Sequence, residues 1–148
     1  MLVTALIAND HRLVQTLFIE LEGSPSAGRE VFERLVMELD VHAQAEEAVF
    51  YPAVRQASRR IEDAEAGHQH MRQMIEAVRA VEPGSREYLR ALRELKQVVL
   101  NHAMEEEAGI FMDAQRLGLA RLEELGTAMQ EAKQRLMAAP TMPKRRVA

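Results

Sequence analysis

His42-Ala43-Gln44-Ala45-Glu46-Glu47-Ala48-Val49-Phe50-Tyr51-Pro52 is answered later in the chain by His102-Ala103-Met104-Glu105-Glu106-Glu107-Ala108-Gly109-Ile110-Phe111. Both read His-x-x-x-Glu-Glu followed by a Phe, at the third residue after the second Glu in the first copy and at the fourth in the second. On an α-helix, residues four apart stack one turn above each other, so each stretch turns an imidazole nitrogen and a carboxylate toward one point. A single such pair is ordinarily a surface ion pair. Two copies, both flanked by apolar residues, read better as a pair of two-residue metal chelates.

The flanking residues decide on which face each chelate lies. In the first, Phe32, Leu35, Leu39, His42, Glu46, Val49 and Ala53 recur at spacings of three and four and form one apolar stripe. His42 and Glu46 therefore replace core residues. A carboxylate buried without a partner costs several kcal/mol, on the order of what a metal ion or a paired cation would offset. Pro52 cannot donate a hydrogen bond to the Ala48 carbonyl, which predicts a kink or an ending of this helix there.

Working outward, a helix over about residues 4–22 carries Ile7, His11, Val14, Phe18 and Leu21 on one stripe, and Gly23-Ser24-Pro25-Ser26-Ala27-Gly28 ends it. The chelate-bearing second helix starts at about residue 29. A third helix over about 61–82 has the stripe Ile61, Ala64, His68, Met71, Ile75 and Val78, which makes His68 a core residue and turns His70 toward solvent. Pro83-Gly84 stops it, and Ser85 is the expected N-cap of a fourth helix over about 86–115 with Tyr88, Leu92, Leu95, Val99, His102, Glu106 and Ile110 on one face. A last amphipathic segment over about 119–137, with Leu122, Leu125, Met129 and Leu136, is expected to pack across the outside. Residues 140–148 are expected to be a disordered tail. No stretch alternates as a strand. The fold class is all-α: an up-and-down four-helix bundle over residues 1–118, with a C-terminal extra helix over 119–139 packed on it.

With 148 residues, 47% of them apolar and rich in Ala, Leu, Met, Glu and Arg, the chain is long enough to bury a core of its own. It has no Cys, so disulfides, thiolate catalysis and thiolate metal sites are excluded and any metal is held by nitrogen and oxygen. No apolar run reaches the roughly 18 residues that would span a bilayer, and the reading is a cytoplasmic protein without membrane contact. A net charge of −4 argues against a nucleic-acid surface, and Lys144-Arg145-Arg146 reads as a solvated end. A monomer or weak homodimer is expected.

Counted from the turns at 1.5 Å per residue, His11 and His42, and likewise His68 and His102, lie within roughly 5 Å of a common level. All four can converge. Four imidazoles and two carboxylates exceed what one zinc ion requires and suit two six-coordinate ions, with iron the best match. The bland alternative is a buried polar network of the four His and the carboxylates.

Asp10-His11, His42-x-x-x-Glu46, His68 and His102-x-x-x-Glu106 resemble the hemerythrin-like, HHE cation-binding family over about residues 3–115. The resemblance implies a left-handed four-helix bundle around a non-haem di-iron centre. In it two iron ions, oxo- or hydroxo-bridged, are held by His11, His42, His68 and His102 as terminal ligands and by Glu46 and Glu106 as bridges. Two positions depart from the oxygen carriers of the family. Their second third-helix His falls here on Arg72, which is no ligand, and their Asp five residues after the last His falls on Glu107, with Glu106 in better helical phase. Tyr51 is a candidate ligand, since phenolate suits ferric iron; an ideal helix turns it about 180° from His42, and redirection by Pro52 or an ordinary rim position are both open. Family members of the mycobacterial kind resemble the chain in the missing His and in Tyr-Pro, which implies peroxide chemistry. The expected function is therefore reaction with O2, hydrogen peroxide or nitric oxide, catalase-like or protective against oxidative stress, with Tyr51 as the catalytic candidate. The alternatives are an oxygen or iron carrier, a storage protein or a sensor module without turnover.

Overall fold

Residues that keep their rotamer freedom in a helix dominate this chain, and the computed structural model is helical almost throughout, with no strand among the described residues, 1–24 and 28–139. α1 is Val3–Gly23. α2, Gly28–Ala45, runs through a π-helical turn, Glu46–Phe50, into α3, Tyr51–Val54. α4 is Ile61–Arg79. α5, Arg86–Glu105, runs through a second π turn, Glu106–Ile110, into α6, Phe111–Ala114, and a 3-10 turn, Gln115–Leu117; α7 is Leu119–Ala138. The four long segments α1, α2–α3, α4 and α5–α6 form the up-and-down bundle, α1 pairing with α2 and α4 with α5, and α7 lies against α1, α2 and the first π turn.

Ser85 caps α5 as expected, its Oγ accepting the Tyr88 backbone N–H at 3.0 Å. The third helix ends at Arg79, short of residue 82. Pro25, Ser26 and Ala27 of the first turn and the tail at 140–148 lie outside the described residues.

The larger difference lies at the chelates. Neither helix is α-helical all the way through: each widens to i→i+5 hydrogen bonding for one turn, with Tyr51 N–H donating to Glu46 O and Phe111 N–H to Glu106 O. The extra residue shifts the buried stripe. Phe50, Tyr51 and Val54 are fully buried, and Val49 and Ala53, expected in the core, are only half-buried. Pro52 does not end the helix, which continues to Val54. Nor is Pro52 what redirects the chain, because the second π turn forms with Met112 at the matching place.

The core divides into two apolar clusters. One, with Phe18, Leu35, Ile75 and Leu95, fills the end of the bundle near the α1–α2 and α4–α5 turns. The other, with Ile7, Phe50, Val54, Ile61, Ile110 and Ala114, is completed by Leu122, Leu125 and Met129 of α7. The last helix thus closes a core rather than covering an outer face. Gly126 permits this, since a Cβ there would meet the backbone of Met1 to Val3. The polar residues of interest lie in the layer between the clusters. Among the described residues no helix is long and apolar enough to cross a membrane.

Candidate metal centre

α1 supplies His11, α2 supplies His42, the first π turn Glu46, α3 Tyr51, α4 His68, α5 His102 and the second π turn Glu106. The structure brings all seven together. Glu46 and Glu106 are 0% and 1% exposed, so neither is an ordinary surface acid. Their potential ligand atoms fall into two overlapping groups, His11, His42, Glu46 and Glu106, and Glu46, His68 and His102, each with its atoms within 4.8 Å of one another. His70 is exposed and belongs to neither.

Every ring turns Nε2 inward. His11 Nε2 is 3.1 Å from Glu106 Oε1, His42 Nε2 3.0 Å and His68 Nε2 3.2 Å from Glu46 Oε1, and His102 Nε2 3.9 Å from Glu106 Oε2. Several of these approaches are not hydrogen bonds. His11 Nε2, His42 Nε2, Glu46 Oε2 and Glu106 Oε1 are buried without a hydrogen-bond partner. Four unsatisfied atoms in one layer are costly in a native core. Their direction toward a common volume, and the nitrogen and oxygen donor set, fit metal ions there. A self-satisfied polar network, the bland alternative, would not leave them unpaired.

The outward nitrogens are held differently. His11 Nδ1 pairs with Glu107 at 2.7 Å, His42 Nδ1 with Asp10 at 2.9 Å and His68 Nδ1 with Glu47 at 2.8 Å. A carboxylate on Nδ1 fixes the tautomer and aims Nε2 inward, the usual support of a metal-binding imidazole. His102 Nδ1 has no such carboxylate among the described residues; Gly67 packs against it so closely that a Cβ would stand 2.7 Å away. Arg72 does not enter the pocket. Its guanidinium grips both oxygens of Glu47, at 3.1 and 2.9 Å.

The Tyr51 hydroxyl lies at the centre of the second group. It donates to Glu106 Oε2 at 2.6 Å and lies 3.3 Å from Glu46 Oε1, 3.2 Å from His68 Nε2 and 3.4 Å from His102 Nε2. The π turn explains this. Five residues of ideal α-helix would carry Tyr51 about 140° past Glu46, whereas one i→i+5 turn stacks it near the same face.

These protonation preferences describe the protein without metal. Burial, then the charge of Glu46, raises Glu106 to about 7, while Glu46 stays well below its usual value against burial because of His42. Burial lowers the His102 imidazole to about 4, helped by the neighbouring charge of His68. His68 rises to about 9, because the hydrogen bonds it donates to Glu46 and Glu47 outweigh its burial. Burial and the charges of Glu46 and Glu106 raise Tyr51 far above the usual phenol value. A cation among these atoms would reverse the carboxylate repulsion and favour the phenolate.

On the side of the rings facing the first core cluster is a cavity of about 30 Å³, lined by the four His with Val14, Leu39, Met71 and Val99 among others. It is about the size of one water. Sequence reasoning missed Asp10, Glu47 and Glu107 as partners of the rings. The signal was present in Asp10-His11 and in the doubled acid Glu46-Glu47 and Glu106-Glu107, where the second member lies one residue round the helix and reaches the neighbouring helix's His.

Fold and layer together define an all-α bundle protein with a buried His/carboxylate site able to hold a cation. The sequence profile of the Hemerythrin HHE cation binding domain matches residues 2–114, and the chain belongs to that family. A solved hemerythrin HHE cation binding domain-containing protein from Mycobacterium kansasii superposes with a TM-score of 0.84 over 91% of this chain and 86% of that one at 24% identity, which is a likeness of fold. A DNA nickase from Nostoc is 30% identical over 135 residues, 88% of this chain. The chain spans only 38% of that relative's length.

Proposed function

We propose that this chain is a non-haem di-iron protein whose centre reacts with O2, hydrogen peroxide or nitric oxide in a catalase-like or otherwise protective role. In this reading His11 and His42 would hold one ion and His68, His102 and Tyr51 the other, with Glu46 and Glu106 as the carboxylate ligands between them. Two irons so held would supply reversible electron transfer to a small oxidant. The observation that carries the reading is the Tyr51 hydroxyl, buried within 3.4 Å of both His68 and His102. An anionic phenolate there stabilises a ferric ion, which disfavours the reduced pair that a reversible oxygen carrier has to maintain. Glu106 accepts from the hydroxyl at 2.6 Å and so holds Tyr51 toward the site in the metal-free protein. The cavity beside the rings, about 30 Å³, leaves room only on the scale of a small molecule such as water or O2.

The cavity also favours a second reading, ligand binding without turnover in a carrier, storage or sensor protein. The relative's DNA cleavage is not carried over, since most of that protein's length has no counterpart here. A cytoplasmic location and a monomer or weak dimer complete the proposal.

Anaerobic iron loading followed by paired measurements on one sample tests it: oxygen evolution from peroxide and reversible O2 uptake. The oxidised protein should show a phenolate-to-iron charge-transfer band that vanishes in Tyr51→Phe while two irons per chain are retained, with slower peroxide decomposition. Reversible oxygenation with negligible peroxide turnover would leave the carrier reading in its place.

A further inference from the structure

The helix beyond the matched domain reaches into the metal layer. Lys133 of α7 extends its ammonium to Asp10 Oδ1 at 2.5 Å, and the other oxygen, Oδ2, accepts from His42 Nδ1 at 2.9 Å. Both side chains are largely buried, Lys133 16% and Asp10 11% exposed. The chain Lys133–Asp10–His42 ends on His42 Nε2, one of the unpartnered atoms aimed at the centre. The family profile stops at residue 114, so Lys133 lies outside the residues it matches.

We infer that Lys133 is a positioning residue for the metal position of His11 and His42, which makes α7 a working part of the centre. The inference rests on the reading of this layer as a metal centre. Asp10 has two oxygens in a nearly closed site, and each needs a partner. With Lys133 on Oδ1, Oδ2 stays directed at His42 Nδ1, and the ring is held with Nε2 toward Glu46. Without the ammonium, Asp10 is free to rotate, and His42 loses the contact that orients it. His68 has an equivalent brace in Glu47 and Arg72 within the bundle itself. Neither His68 nor His102 is touched by Lys133, so the effect falls on one metal position.

The test is a competitive Co(II) titration of the full chain against a chromophoric chelator, with thermal melting of the metal-free protein alongside. Wild type should take up two equivalents. Lys133→Met, which keeps the apolar stem against the bundle, should weaken one equivalent about tenfold and leave the other unchanged. Lys133→Arg should restore it. Asp10→Asn should weaken the same equivalent, and the double variant should bind no more weakly than Asp10→Asn alone. Unchanged affinity in Lys133→Met would overturn the inference, as would equal weakening of both equivalents in step with a lowered melting temperature, or additivity in the double variant. No Co(II) uptake by wild type is a different result: it would overturn the metal-centre reading, and the inference with it.

Discussion

The two ends of the polar layer are built from the same motif and finished differently. At the His11 and His42 end, both outward nitrogens are gripped by acids, Glu107 and Asp10. At the other end, His68 has Glu47, but His102 has only the bare backbone of Gly67, and the Tyr51 hydroxyl projects among the ligand atoms. The corresponding residue after the second π turn is Phe111, which packs edge-on against Phe50 with ring centroids 6.2 Å apart. In the proposed reading the repeat sets where the cations would sit, and the departures from it make the two positions unlike. One end is braced for holding; the other carries the less constrained imidazole and an ionisable oxygen.

The strongest way to break this comparison is to remove what both ends share. Glu106 reaches His11 through Oε1 and Tyr51 through Oε2, so Glu106→Ala should abolish binding of the metal pair. Glu107→Ala, which frees only His11 Nδ1, should cost on the order of tenfold in affinity at one position. Metal content after gel filtration distinguishes them, and the reverse ranking would mean that Glu107 is the ligand. Next in size, His68→Ala should lose about one metal per chain, whereas exposed His70→Ala should lose none. Equal losses would contradict the phase of α4.

That ranking was open to sequence reasoning because α-helical phase holds up to Glu46 and Glu106. The positions of His11, His42, His68 and His102 follow from apolar stripes alone. Beyond the two Glu residues the same reasoning misplaced Val49 and Ala53, because a π turn is set by local packing and backbone hydrogen bonding and leaves little trace in hydrophobic spacing. Tyr51 is where this mattered most, since an uninterrupted helix would have turned it away from the site. The role of Lys133 was illegible for another reason: it depends on how α7 docks, which no motif near the site records.

A smaller effect sharpens the contrast in bracing. Gly67→Ala would place a Cβ 2.7 Å from His102 Nδ1, forcing the ring to shift. The second position should weaken by roughly tenfold, and the His11/His42 position should not respond. A Co(II) titration reads this directly, and equal weakening of both equivalents would show that the two ends are not separable.

The smallest expected effect comes from the metal-free protein, on the order of a few degrees in Tm. His68, raised from 6.5 to about 9 in the folded state despite its burial by Glu46 and Glu47, contributes stability that is fully present below pH about 6.5 and is lost as pH climbs through 9. His102 has the opposite sign. Burial and the charge of His68 lower it from 6.5 to about 4, so its contribution is present above 6.5 and is lost as pH falls through 4. Thermal melts of chelator-stripped protein should therefore lose stability as pH climbs through 9, while on the acid side the loss from His102 is offset by Glu106, whose folded value of about 7 adds stability as pH falls; two variants separate the contributions. His68→Gln should flatten the alkaline arm in part only, because His42 is raised as well. His102→Gln should leave the Glu106 contribution uncompensated, so that stability rises as pH falls from about 7 toward 4.5. If His102→Gln acted on the alkaline side instead, its imidazole would be braced like the other three, and the difference between the two ends would disappear.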